Sequence, residues 1–148
     1  MIEPGQSITL ESLPAIVSAH AVWLESDGRD GTQASLAGAL LLRADLEGVD
    51  LTRADLREVN LGGAKLQHAI LRGANLERAR LSAANLRNPD LEGANLNGAH
   101  LQNAILASAC LRGVDLAPAD LELANLSKAD LTDALLQKAT LRQVNLRG

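Results

Sequence analysis

Leucine stands at every fifth position from Leu36 to Leu146, 23 times without a miss. Two residues before each Leu the residue is Ala in 18 cases, Val in four (Val49, Val59, Val114, Val144) and Pro once, at Pro89. The residue just before Leu is most often Asp or Asn, as at Asp45, Asp50, Asp55, Asn60, Asn75, Asn85 and Asn95. A helix repeats near 3.6 residues and a strand at 2. Leucines five apart step by about 500° around a helix, so they spiral instead of forming a stripe. A long helix is thereby excluded, although the chain is rich in Ala and Leu. A period this regular decides the fold before any element is assigned.

Each five-residue unit offers one large and one small inward side chain, and one unit alone buries nothing. If the chain turns by a quarter after each unit, four units close a square coil of 20 residues. Coils then stack at the inter-strand spacing of ~4.8 Å. Leucine fills the middle, and the small residues let the chain turn at the corners. Asp and Asn tie the turns through bonds to nearby backbone. The 23 units give about 5.75 coils, a rod of roughly 25–30 Å. Trp23 is the only aromatic residue although 47% of the chain is apolar. An irregular core would use aromatic rings to fill odd volumes, so the interior is narrow and repetitive.

This A-(D/N)-L-x-x array over residues 34–148 resembles the pentapeptide-repeat family. The resemblance implies an all-β solenoid, a right-handed quadrilateral β-helix. It also carries a functional alternative. Some members mimic duplex DNA, bind DNA gyrase and protect it from toxins or quinolones. A DNA mimic wants a strongly negative face, often with aromatic residues among its central positions. Residues 34–148 instead hold 13 acids against 13 bases, and every central residue is Leu. The first reading is therefore a non-enzymatic structural or interaction scaffold, and a DNA-mimicking gyrase modulator is the alternative. In some larger members the repeats serve as a localisation module.

Residues 1–33 form a separate capping segment. "TLESLPAIVSAHAVWLESDG" places Leu13, Ile16, Val17, His20 and Leu24 at helical spacing. This predicts an amphipathic helix over about residues 10–26, lying on the first coil. Thr9 or Ser12 is the N-cap, Pro14 fits the first turn, and Gly28 is the stop. Residues 29–35 lead into the array in extended form. The spacing of His20, Trp23 and Leu24 is similar to leader segments of bacterial pentapeptide-repeat proteins. The net charge of −4 falls on this segment: Glu3, Glu11, Glu25, Asp27 and Asp30 against Arg29. At the other end the array runs to Arg147-Gly148 without a covering helix, so the last coil is expected to stack on a second copy as a symmetric dimer.

No constellation for catalysis, metal or cofactor is evident. His20 is expected in the helix with a satisfied ring, and His68 and His100 lie on outer positions of different faces. Cys110, the only cysteine, sits one coil from both Asp90 and Asp130. Two carboxylates would raise its thiol pKa and dull its reactivity. The outward surface holds the candidate site instead. Residues 20 apart stack, so Arg72, Glu92 and Arg112 form an alternating charge ladder beside Gly73, Gly93 and Gly113. That face is flat and suits a protein partner. Outer slots at Leu40, Leu42, Ile70, Ile105, Leu123 and Leu135 are apolar. Leu40 and Leu42 are expected to pack under the cap, which leaves Leu123 for a contact. No basic stripe supports direct nucleic-acid binding. One cysteine, no secretory pattern and no long apolar run point to a cytoplasmic protein without a membrane span.

Overall fold

The structure, a computed structural model, describes residues 8–148. Glu3, counted among the acidic residues above, lies outside the described residues. Helix α1 spans Leu13–Glu25. From Ser35 onward the chain pairs with itself at a constant offset of 20 residues. Nineteen parallel β-bridges run from Ser35↔Asp55 to Asn125↔Asn145, each five residues after the last. Four units therefore separate each residue from the one stacked on it, and the array is a β-solenoid.

Why five residues suffice per side follows from where the amide protons go. In the unit around Leu91, the Leu91 N–H donates to the Cys110 carbonyl of the next coil at 2.9 Å. Gly93 does the same to Arg112 at 2.9 Å, and Asp90 donates to Ala69 of the preceding coil at 3.0 Å. The Ala94 N–H closes a turn onto the Leu91 carbonyl at 2.9 Å. One amide is left, that of Glu92, and the Asp90 carboxylate accepts it at 3.2 Å. Buried or edge amides need such partners, so the residue before Leu is Asp or Asn for a stated reason. Twelve of the thirteen Asp and Asn residues in that slot make this bond. Asn85 is the exception, and its side-chain oxygen is buried without a partner.

The corners differ from the expectation that small residues make the turn. Ala only closes it. The turn itself is made by the two residues after Leu, and the second of them has a φ between 51° and 68° in every repeat up to Gln143 except at Pro118. A left-handed third residue is the mark of a type II turn. Around Leu116 the third residue is Pro118, with a cis Ala117–Pro118 bond, as a type VI turn has. The turn after Leu86 lacks its closing bond because Pro89 has no N–H.

Every repeat Leu from Leu36 to Leu126 is buried, with the small residue two before it buried or nearly so. A cavity of about 10 Å³ lined by core leucines has room for a single water at most. In the last described coil Leu131 and Leu136 are half-buried, while Leu141 and Leu146 are 42% and 54% exposed.

The N-terminal helix is shorter than residues 10–26. Ser12 occupies the N-cap position without a capping bond, because its hydroxyl exchanges hydrogen bonds with Thr9 instead. At the other end both Asp27, with φ 58°, and Gly28, with φ 83°, are left-handed, so the stop begins one residue ahead of Gly28. The Asp27 N–H donates to Leu24 and the Gly28 N–H to Trp23, the two bonds of a Schellman motif. Among the described residues, no helix is long and apolar enough to cross a membrane.

Candidate functional site

The residues that carry the candidate face are brought together. Leu71, Leu91 and Leu111 point inward on one side, and the residues after them point outward in two columns. One column is Arg72, Glu92 and Arg112; the other is Gly73, Gly93 and Gly113. All three glycines are exposed, and the space where Gly93 and Gly113 would carry a Cβ is open. The backbone of this face therefore lies within reach of whatever rests on it.

The charge ladder forms only in part. Arg72 Nε pairs with Asp90 at 2.5 Å, and its guanidinium reaches Glu92 at 3.3 Å. The Asp90 hydrogen bond pushes the Arg72 pKa up from its ordinary value. Among the described residues Arg112 makes no ion pair, so the ladder ends at Glu92. Asp90 also occupies the turn-tying slot, and the Arg72–Asp90 contact runs diagonally. The sequence columns alone missed it, because it joins residues 18 apart, not 20.

Cys110 is half-buried and bridges to Asp90 below and Asp130 above. His68 and His100 are exposed on different faces. Among the described residues no three metal-ligating side chains converge.

The outer apolar slots divide. Ile70 and Ile105 are half-buried between neighbouring coils, and Leu123 and Leu135 are each 47% exposed. Leu40 and Leu42 do not pack under the cap; they are 72% and 55% exposed. The helix lies over the end of the coil, whereas these two leucines project from its side.

The helix residues meet the first coil through Leu13, which joins the leucine core, and through Ile16 and Val17 packed against it. His20 is fully buried, and Trp23 and Leu24 are half-buried. The His20 ring stacks on Trp23 with centroids 5.5 Å apart, and the Arg53 guanidinium lies 4.9 Å from the Trp23 ring centre. Only one His20 nitrogen is satisfied: Nδ1 accepts the Ala34 N–H at 3.1 Å, while Nε2 is buried without a partner.

Comparison with known proteins agrees with this geometry. The family described as pentapeptide repeats matches residues 32–67, 60–88, 79–117 and 109–148. Among solved structures, the pentapeptide repeat protein Rfr23 from the cyanobacterium Cyanothece 51142 is 29% identical, with a TM-score of 0.61 over 87% of this chain and 98% of that one. The pentapeptide repeat protein alr5209 from Nostoc PCC 7120 is 30% identical, with a TM-score of 0.62 over 80% and 93%. The trypsin-treated form of QnrB1, a plasmid-mediated fluoroquinolone resistance protein, is 22% identical, with a TM-score of 0.51 over 76% and 64%. That last likeness is one of fold. No curated protein sequence matches the chain.

Proposed function

Because the chain belongs to the pentapeptide-repeat family, matched over residues 32–148, we propose that it is a non-enzymatic interaction scaffold, a rigid rod that offers flat faces to a protein partner. In this reading the coil is right-handed with about 5.75 turns, the described part of the N-terminal segment, residues 8–33, caps its first coil, and the exposed Leu141 and Leu146 take a second copy. The single cysteine suits a reducing compartment such as the cytoplasm.

The observation that carries the proposal is the exposed column Gly73, Gly93, Gly113 beside Arg72, Glu92 and Arg112. A partner can approach the backbone there, and Arg112 is free to meet an acid. A leucine-filled interior supports the same reading, since chemistry needs a concavity with convergent polar groups.

The test is affinity capture with two variants. Glu92→Lys with Arg112→Glu reverses charge on the proposed face, and Arg80→Glu alters the opposite face. A partner lost with the first and kept with the second supports the reading; equal capture by both contradicts it. A gyrase supercoiling assay tests the alternative directly. Inhibition, or relief of quinolone poisoning, would replace the scaffold with a DNA-mimicking gyrase modulator.

A further inference from the structure

Among the described residues, His20 is the only polar or charged residue fully buried. Its position is unusual for a surface helix. The ring projects from α1 into the junction with the first coil, and its Nδ1 accepts the N–H of Ala34, the first small residue of the array. A nitrogen that accepts carries no proton, so the proton of the neutral ring is on Nε2. A second bond holds the same junction: the Thr32 N–H donates to the Ala19 carbonyl at 3.1 Å. The lead-in is pressed against the helix backbone, since a Cβ at Gly31 would lie 2.4 Å from the Ala19 carbonyl oxygen.

We propose that His20 is a pH-sensitive latch: neutral, it holds α1 on the first coil, and protonated, it releases the helix and bares the coil edge. The geometry requires the coupling. An imidazolium carries a proton on both nitrogens. At Nδ1 that proton would face the Ala34 N–H, donor against donor. The new charge would also sit in a fully buried site, where a polar group without a partner is costly.

The groups facing the ring are few. From the first coil these are Asp50, the Thr52 backbone and Arg53; from α1 the neighbour is Trp23. Burial, the largest influence, lowers the pKa of His20 below its ordinary value of 6.5, and Arg53 acts in the same direction. Asp50 and the Thr52 backbone act the other way. A ring with a depressed pKa when docked and an ordinary one when released binds more protons in the released state. Docking is therefore at full strength above about pH 6.5 and weakens as pH falls below it. The edge so uncovered is a row of backbone groups open to pairing. The latch does not depend on which face of the rod takes a partner.

The experiment uses the full chain and two probes. Trp23 is the only tryptophan, with no Tyr or Phe present, so intrinsic fluorescence reports on this junction alone. Hydrogen exchange at the Thr32 and Ala34 amides, corrected for the intrinsic pH dependence, reports release. Between pH 8 and 5 the latch predicts an emission transition with a midpoint below 6.5. It also predicts roughly a tenfold loss of protection at both amides, with Ala94 in the middle of the rod unchanged. In His20→Gln, whose side-chain oxygen can accept from Ala34 without titrating, both transitions vanish. An emission change with constant protection at Thr32 and Ala34 means ring quenching without release and overturns the proposal. So does loss of protection at Ala94 in step with the other two, which is global unfolding. The wild-type titration decides the matter even if His20→Gln fails to fold.

Discussion

Leu42 rests on Gly62: a Cβ at residue 62 would come within 3.0 Å of Leu42 Cδ2. The two are 20 residues apart, so an outward leucine is seated by the missing side chain on the coil above. Gly62 has an ordinary backbone, because it is absent from the left-handed positions. Gly93 is the reverse case, with φ 65° and open space where a Cβ would go. The pair separates crowding from backbone strain. Gly62→Ala should change stability by less than about 0.5 kcal/mol, since Leu42 is exposed and can move aside. Gly93→Ala should cost about 1 kcal/mol, from the left-handed conformation alone. Urea melts of the two variants check the order.

Leu91 lies at the middle of the buried column. Leu91→Ala should destabilise by about 2–5 kcal/mol, because neighbouring coils cannot collapse into the gap without breaking their own pairing. Leu91→Asp should prevent folding, as no partner for the charge exists inside. An unchanged melting point for either would mean that Leu91 is not inward.

Asp120 shows what the residue before Leu contributes. Its carboxylate accepts the Glu122 N–H at 3.1 Å and the Gln102 side-chain N–H at 2.6 Å. Asp120→Ala should cost about 1–2 kcal/mol, and Asp120→Asn, which keeps the acceptor, should cost less. The same denaturant series reads both.

The rod should weaken in acid for a separate reason from the His20 latch. The carboxyls of Asp45, Asp55 and Asp130 are held below the ordinary 3.8 by hydrogen bonds from Lys65, Arg57 and Thr132 respectively. A depressed folded-state pKa means that the stabilisation is present above about pH 4 and lost as pH falls through the folded values. Denaturation midpoints measured from pH 6 down to 3 should drop at the acid end, and less steeply in Asp55→Asn.

The solenoid was legible because period five admits no other economical packing, and each Leu needs only the Leu beside and above it. The turn conformation was less so. Its signal is Gly in the second slot after Leu at eight of 23 repeats, including Gly38, Gly63 and Gly98; the other fourteen left-handed residues in that slot, such as Arg43 and Lys128, carry no such mark. The Arg72–Asp90 pair was hidden because it joins residues 18 apart, and side-chain reach is not a property of the repeat. The exposure of Leu40 and Leu42, 72% and 55%, is set by where the N-terminal helix lies, which no periodicity in the array encodes.

The most direct test of the account is its register of 20 residues, and Cys110 supplies half of the probe. It bridges to Asp130 on the next coil, at an expected backbone separation of ~4.8 Å, within the range a disulfide spans. On mild oxidation, Asp130→Cys should form an intramolecular disulfide with Cys110, and Asp120→Cys, ten residues away and on the opposite face, should leave two free thiols. A disulfide in the second variant, or none in the first, would contradict the four-sided coil on which everything else rests.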